Sequence, residues 1–268
     1  MPTPTVTTQL DNSLATVIAS ARVTREQEGD MPALVERRQL KKGTGDTWHE
    51  VSYAKLTAMA VNETTENDNI QQVSDTDFAI KPTMVQIATM LTDKVGRNIT
   101  KNGLREIGRL GQNAMQRKKN IDGLTAIDST GSTQLGSAGS AMTYGLVAAA
   151  VTNITGNTTE PGHQPIRFVA HPFCMKDIYD QFTAPVGTYD ISEGASFRVF
   201  REGFRGMINT AQAFENGDFD ISSTDAKNGV FSKEGIVMVE EMSPRMETER
   251  MPRIGGGSTV VTHTDSYA

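Results

Sequence analysis

The stretch that decides the fold runs from Trp48 to Leu91. It reads WHEVSYAKLTAMAV (48–61), NETTENDNIQQVSDTD (62–77) and FAIKPTMVQIATML (78–91). The outer segments are rich in β-formers and small apolar residues: Trp48, Val51, Tyr53, Leu56, Met59 and Val61 in one, Phe78, Ile80, Val85 and Ile87 in the other. Between them stand Glu63, Glu66, Asp68, Asp75 and Asp77, and no basic residue. This pattern predicts a long two-stranded arm with an acidic tip. Pro82 has no N–H to give to a ladder, so the returning strand is expected to lie at an edge or to be irregular there. A two-stranded ribbon is marginal in water by itself. The arm therefore implies a surface on another body.

Upstream, Met1 to Gln9 is rich in Thr and Pro and reads as unstructured or extended chain. Asp11-Asn12 offers a helix cap, and Leu14, Val17, Ile18 and Ala21 follow at helical spacing. Past Asp30, Leu34, Val35 and Leu40 alternate with Arg37, Arg38, Lys41 and Lys42. Two readings of this basic cluster stay open, a solvated face and a charged contact with a neighbouring subunit.

Downstream, Leu104, Ile107, Leu110, Ala114, Ile121 and Leu124 recur at helical steps. They predict one helix over 101–127, about 40 Å long at ~1.5 Å per residue. Gly103, Gly108, Gly111 and Gly123 each weaken it by ~1 kcal/mol relative to Ala, and would let another backbone approach closely. The Gly/Ser/Thr run from Asp128 to Ser140 is a candidate internal boundary. Beyond it the sequence predicts a helix over 142–151 and a buried strand at 166–170. A helix opened by Pro172 at its favoured first position comes next, then loops over 183–205. Strands are predicted at 229–231, 236–240, 245–250 and 258–263. This order is an α+β pattern, not the regular alternation of a doubly wound sheet.

Composition narrows the function. The 268 residues are enough for one large domain or two smaller ones. A net charge of −6 argues against wrapping a nucleic acid, which needs a basic face. No run of apolar residues is long enough to span a membrane, and Met1 to Thr5 carries no secretory signal pattern. A single cysteine, Cys174, allows no intramolecular disulfide. His49, His163, His171 and His263 do not form a metal-ligand spacing. Cys174 stands three residues after His171, which reads either as a nucleophile–base pair or as a core cysteine beside a helix cap, the second fitting better. There is no phosphate-binding loop, and Gly255 to Gly257 precede a strand instead of a helix. Glu63, Glu66 and Asp68 lack the twelve-residue calcium-loop pattern; a basic patch on a neighbouring subunit suits them better. No cofactor, metal or catalytic residue is expected, and the chain does not read as an enzyme.

The order of parts resembles the major capsid proteins of tailed bacteriophages (Caudoviricetes) with the Hong Kong 97-type fold. Ala60-Val61-Asn62-Glu63-Thr64 resembles the hydrophobic–Glu–Gly turn of that family's extension loop, with Thr64 where Gly is common. Phe78 to Pro82 and Met90 to Asp93 resemble the returning strand and the start of the next helix. Ile121 to Leu124 resembles the end of the spine helix, and Arg167 to Pro172 the strand-to-helix turn of the axial domain. Gly217-Asp218-Phe219 and Val230 to Glu234 resemble the return to the peripheral domain.

The resemblance covers about Leu34 to His263. It implies an N-terminal arm (1–45), an extension loop (46–92) and a spine helix with peripheral domain (93–139). An axial domain (140–219) and a return to the peripheral domain (220–268) would follow. It further implies self-assembly into hexamers and pentamers of an icosahedral phage head around DNA, with synthesis in the host cytoplasm and residence in the virion. Portal, scaffolding and decoration proteins would be partners, with scaffolding supplied by a separate protein. DNA would be met only non-specifically, and no membrane is involved. Intersubunit contacts would fall on Glu63, Glu66, Asp68, Asp75 and Asp77 of the loop and on Arg22, Arg25, Arg37 and Arg38 of the arm. No residue pair fits the Lys–Asn crosslink of some members. The alternatives are an encapsulin-type compartment shell and, more remotely, a small α+β enzyme.

Overall fold

The computed structural model describes residues 29–61, 63–64, 70–99, 101–129, 133–158, 160–183, 207–219, 221–222, 225–254 and 256–268. In chain order the elements are α1 (Met31–Leu34), β1 (Glu36–Gln39), β2 (Trp48–Tyr53), β3 (Asp75–Ile80) and β4 (Thr83–Thr92). Helices α2 (Asp93–Asn98), α3 (Lys101–Ser129) and α4 (Tyr144–Thr155) follow, then β5 (Ile166–Ala170) and α5 (Pro172–Thr183). The chain continues through β6 (Met207–Ile208), β7 (Ala211–Glu215), β8 (Ile221–Ser222), β9 (Asp225–Ala226) and β10 (Gly229–Ser232). A 3-10 turn (Lys233–Gly235) leads into β11 (Val237–Met251) and β12 (Ser258–Tyr267).

Side-chain alternation along β5 builds two cores from one strand. Ile166, Phe168 and Ala170 pack with Val147 and Val151 of α4 and with Met175 and Ile178 of α5. Val169 points to the opposite face, as a period of two requires. There it joins Met31, Leu34, Leu124, Phe219, Phe231 and Met238. The sheet around it has the order β10-β5-β7-β6, with β5 and β7 parallel. The N-terminus of α4 is closed by Thr143, whose hydroxyl accepts from the Leu146 amide.

The second four-stranded sheet has the order β1-β11-β12-β4. Its strand β12 turns alternate residues onto the long helix α3. The His263 ring lies against Gly111, where a Cβ would sit 2.6 Å from the imidazole. Lys119 of α3 places its ammonium 2.8 Å from Asp265 and 2.9 Å from Glu240. It also lies 5.0 Å from the centre of the Tyr267 ring. The Tyr267 hydroxyl donates to Asp122 at 2.8 Å; burial first, and that bond second, push its pKa upward. Asn120 and Asn216, both buried, exchange amide hydrogen bonds of 3.3 and 2.9 Å, and the Asn120 carbonyl also accepts the Met31 amide. These contacts join α3 to both ends of the described chain.

Several sequence expectations need correction. The returning strand of 78–91 is two strands in two sheets: β3 pairs with β2, whereas β4 pairs with β12. Lys81-Pro82 is the break, as the missing N–H of Pro82 suggests. The first arm segment is strand only over Trp48–Tyr53. The strands expected at 236–240 and 245–250 are one, β11. Register shifts between Glu240 and Arg245 accommodate Pro244 inside it. On α3 the glycines admit side chains instead of a backbone: His263 at Gly111 and Met31 at Gly123. The helix proposed for Leu14 to Ala21 and most of the loops at 183–205 lie outside the described residues. So do Arg22, Arg25, Glu66 and Asp68.

Candidate intersubunit surface

Among the described residues no cluster of metal-ligating side chains occurs, and no helix is long and apolar enough to cross a membrane. The Cys174 thiol is directed at the Ala226 carbonyl, 3.9 Å away. The His171 ring accepts the Phe173 amide through Nδ1 at 3.2 Å. Burial lowers the pKa of His171 and favours this neutral acceptor. His171 thus caps the start of α5 through its ring, and the half-buried Cys174 thiol faces a carbonyl.

The unusual chemistry of the surface is in the arm. Register pairs Trp48 with Ile80, Glu50 with Phe78, Val51 with Asp77 and Tyr53 with Asp75. Directly paired residues share a face. One face therefore carries Trp48, Glu50, Phe78 and Ile80; the other carries His49, Val51, Tyr53, Asp75 and Asp77. Neither face is covered: Tyr53 is 71% exposed and Phe78 60%. Beyond the strands, Leu56, Met59, Val61 and Val73 are exposed as well, and Ile70 reaches 93%. These apolar side chains are all left exposed in the single chain.

Polar bonds hold the ribbon's shape without burying it. The Ala54 amide donates to the Ser74 carbonyl at 2.9 Å, and Thr57 and the Gln71 side chain bond each other through both their donors and acceptors. His49 and Asp77 meet at 2.7 Å. At the base, Lys81 lies 2.6 Å from Asp46 and holds that carboxyl below its ordinary range. The Lys55 ammonium donates to the Thr158 carbonyl at 2.9 Å, which sets the arm beside the α4–β5 loop.

The charged residues singled out in the sequence divide as follows. Glu63, Asp75 and Asp77 are exposed on the arm. Arg37 and Arg38 are exposed on the edge strand β1; Arg37 donates to the Pro32 carbonyl and Arg38 pairs with Glu36 at 2.7 Å. The structure keeps these basic residues near the arm's base, with the Arg38 guanidinium 6.0 Å from the Trp48 ring centre. Sequence reasoning passed over Ile70 and Val73. Their signal was present as isolated apolar residues inside an otherwise polar run.

Two four-stranded sheets, a 29-residue helix spanning one of them, and a projecting hairpin together define the Hong Kong 97-type capsid fold. No family model matches the sequence, and no curated protein matches it at a significant level. Solved structures do. One from Mycobacterium phage Che8 superposes with a TM-score of 0.72 at 14% identity, covering 94% of this chain and 91% of that one. The asymmetric unit of the bacteriophage PhiM1 mature capsid gives 0.64 at 12% identity, covering 95% and 87%. The capsid of cyanophage P-SCSP1u gives 0.66 at 11% identity, covering 97% and 90%. At such low identity the likeness establishes the fold, over nearly the full length of both chains.

Proposed function

We propose that copies of this chain assemble into hexamers and pentamers of an icosahedral phage head that encloses DNA. The observation that carries this reading is the arm's apolar side chains, left uncovered by the described residues of a capsid fold, which another copy would cover. Capsid assemblies are what the PhiM1 and cyanophage structures are. On this reading the arm is the extension loop, α3 the spine helix, and the β5-centred sheet with α4 and α5 the axial domain. Glu63, Glu66, Asp68, Asp75 and Asp77 face a neighbouring copy, as do Arg22, Arg25, Arg37 and Arg38. The chain resides in the virion, with portal, scaffolding and decoration proteins as further partners.

The test is to image the expressed chain by negative stain, with and without residues 62–77. Closed shells from the full chain and none from the deletion are expected. A full chain that stays monomeric, and melts higher with a small ligand, would point to the enzyme reading instead.

A further inference from the structure

The arm's carboxylates have a matching surface at the far end of the same chain. A cleft of about 250 Å³ is lined by Asp93, Lys94, Arg97 and Asn98 of α2 and by Gly256 of the β11–β12 turn. Both oxygens of Asp93 are taken by Arg250, at 2.9 and 2.6 Å. That fork-to-fork pair holds the Asp93 carboxyl below its ordinary range and fixes the turn against α2. It leaves Lys94 and Arg97 exposed, in no salt bridge among the described residues. Opposite in sign, residues 62–77 carry five carboxylates and no cation. Of those described, Glu63 and Asp75 are exposed and unpaired.

The layout of β4 favours a meeting between copies. The arm leaves the sheet at Lys81-Pro82, next to Thr83 at one end of β4, whereas the cleft starts at Asp93, past Thr92 at the other. The ten residues of β4 separate them by about 34 Å at ~3.4 Å per residue. The Lys55 bond to the Thr158 carbonyl also ties the arm to the α4–β5 loop. A donor at one end of the sheet and an acceptor at the other make a head-to-tail contact, the kind that closes rings. Lys41 and Lys42, also exposed and in no salt bridge among the described residues, stand on a loop at the arm's own base and do not line this cleft, whereas Arg253 is exposed in the β11–β12 turn.

We propose that the cleft formed by Lys94, Arg97 and the β11–β12 turn receives the acidic arm of a second copy of this chain. This rests on the shell-forming reading above and names the surface that the arm meets.

The test is charge reversal with rescue. Lys94→Glu with Arg97→Glu is expected to cut the yield of shells at least tenfold. Adding Glu63→Lys and Asp75→Lys to the same chain should restore them, and Lys41→Glu with Lys42→Glu should leave the yield near that of the unmodified chain. A cysteine pair gives an independent readout in which both variants keep the charge of the rest of the contact. One population carries Cys174→Ser and Asp75→Cys, the other Cys174→Ser and Arg97→Cys. Mixed and oxidised, they should yield disulfide-linked dimers that neither gives alone. Normal shell yield from Lys94→Glu with Arg97→Glu would overturn the proposal, as would loss without rescue combined with no mixed disulfide. Normal yield with less packaged nucleic acid would assign the cleft to phosphate and overturn it too. If the unmodified chain forms no shells, it is the shell-forming reading that fails.

Discussion

Strand β5 and the β2–β3 arm are made of similar residues and end in opposite environments. IRFVA buries Ile166, Phe168, Val169 and Ala170 completely; WHEVSY and DTDFAI leave Val51, Tyr53 and Phe78 in water. The difference lies in what each pairs with. Strand β5 has β10 on one side, β7 on the other, helices on one face and α1 with α3 on the other. The arm's strands pair only with each other. A chain can therefore be divided into side chains that hold one copy together and side chains that hold copies to each other, and hydrophobicity alone does not sort them.

Substitutions that sharpen this division are ranked here by their expected effect on the unfolding free energy of a single copy, read from urea denaturation. Lys119→Met should cost the most, about 3–5 kcal/mol, because it strands the fully buried Asp265 carboxylate without its cation. Replacing Asp265 by Asn in the same chain should recover part of the loss. Phe168→Ala should cost a similar or slightly smaller amount, about 3–5 kcal/mol, since it opens a cavity between α4, α5 and the sheet. Gly111→Ala should cost about 1–3 kcal/mol, as the new methyl displaces the His263 ring from α3. Tyr53→Ser with Phe78→Ser should change stability by no more than about 0.5 kcal/mol, yet abolish shell formation. A large loss of stability from the arm pair would break the comparison at its root.

The sequence makes some of this legible and hides the rest for identifiable reasons. The periodic apolar residues from Leu104 to Leu124 announce α3, IRFVA announces β5, and Pro172 marks the start of α5, because each signal is local. The division of 78–91 at Pro82 is less visible, since the partner of β4 is β12, with Thr83 opposite Tyr267. Strand β1 is hidden altogether: ERRQ has no β-like character and is extended because it lies parallel to Val237–Glu240. The surface follows the same rule. Asp75 and Asp77 are plain in the sequence as an acidic run, and the structure sets them beside Val51 and Tyr53. Lys94 and Arg97 attract no notice there, because the turn that makes their cleft comes from Gly256, far along the chain.

Amide hydrogen exchange on assembled shells and on dissociated subunits, followed by mass spectrometry, tests the division most directly. Slow exchange at Ile166–Ala170 in both states is expected, with exchange at Trp48–Tyr53 and Asp75–Ile80 fast in subunits and strongly slowed in shells. Equal exchange of the arm in the two states would contradict the claim that assembly is what covers it.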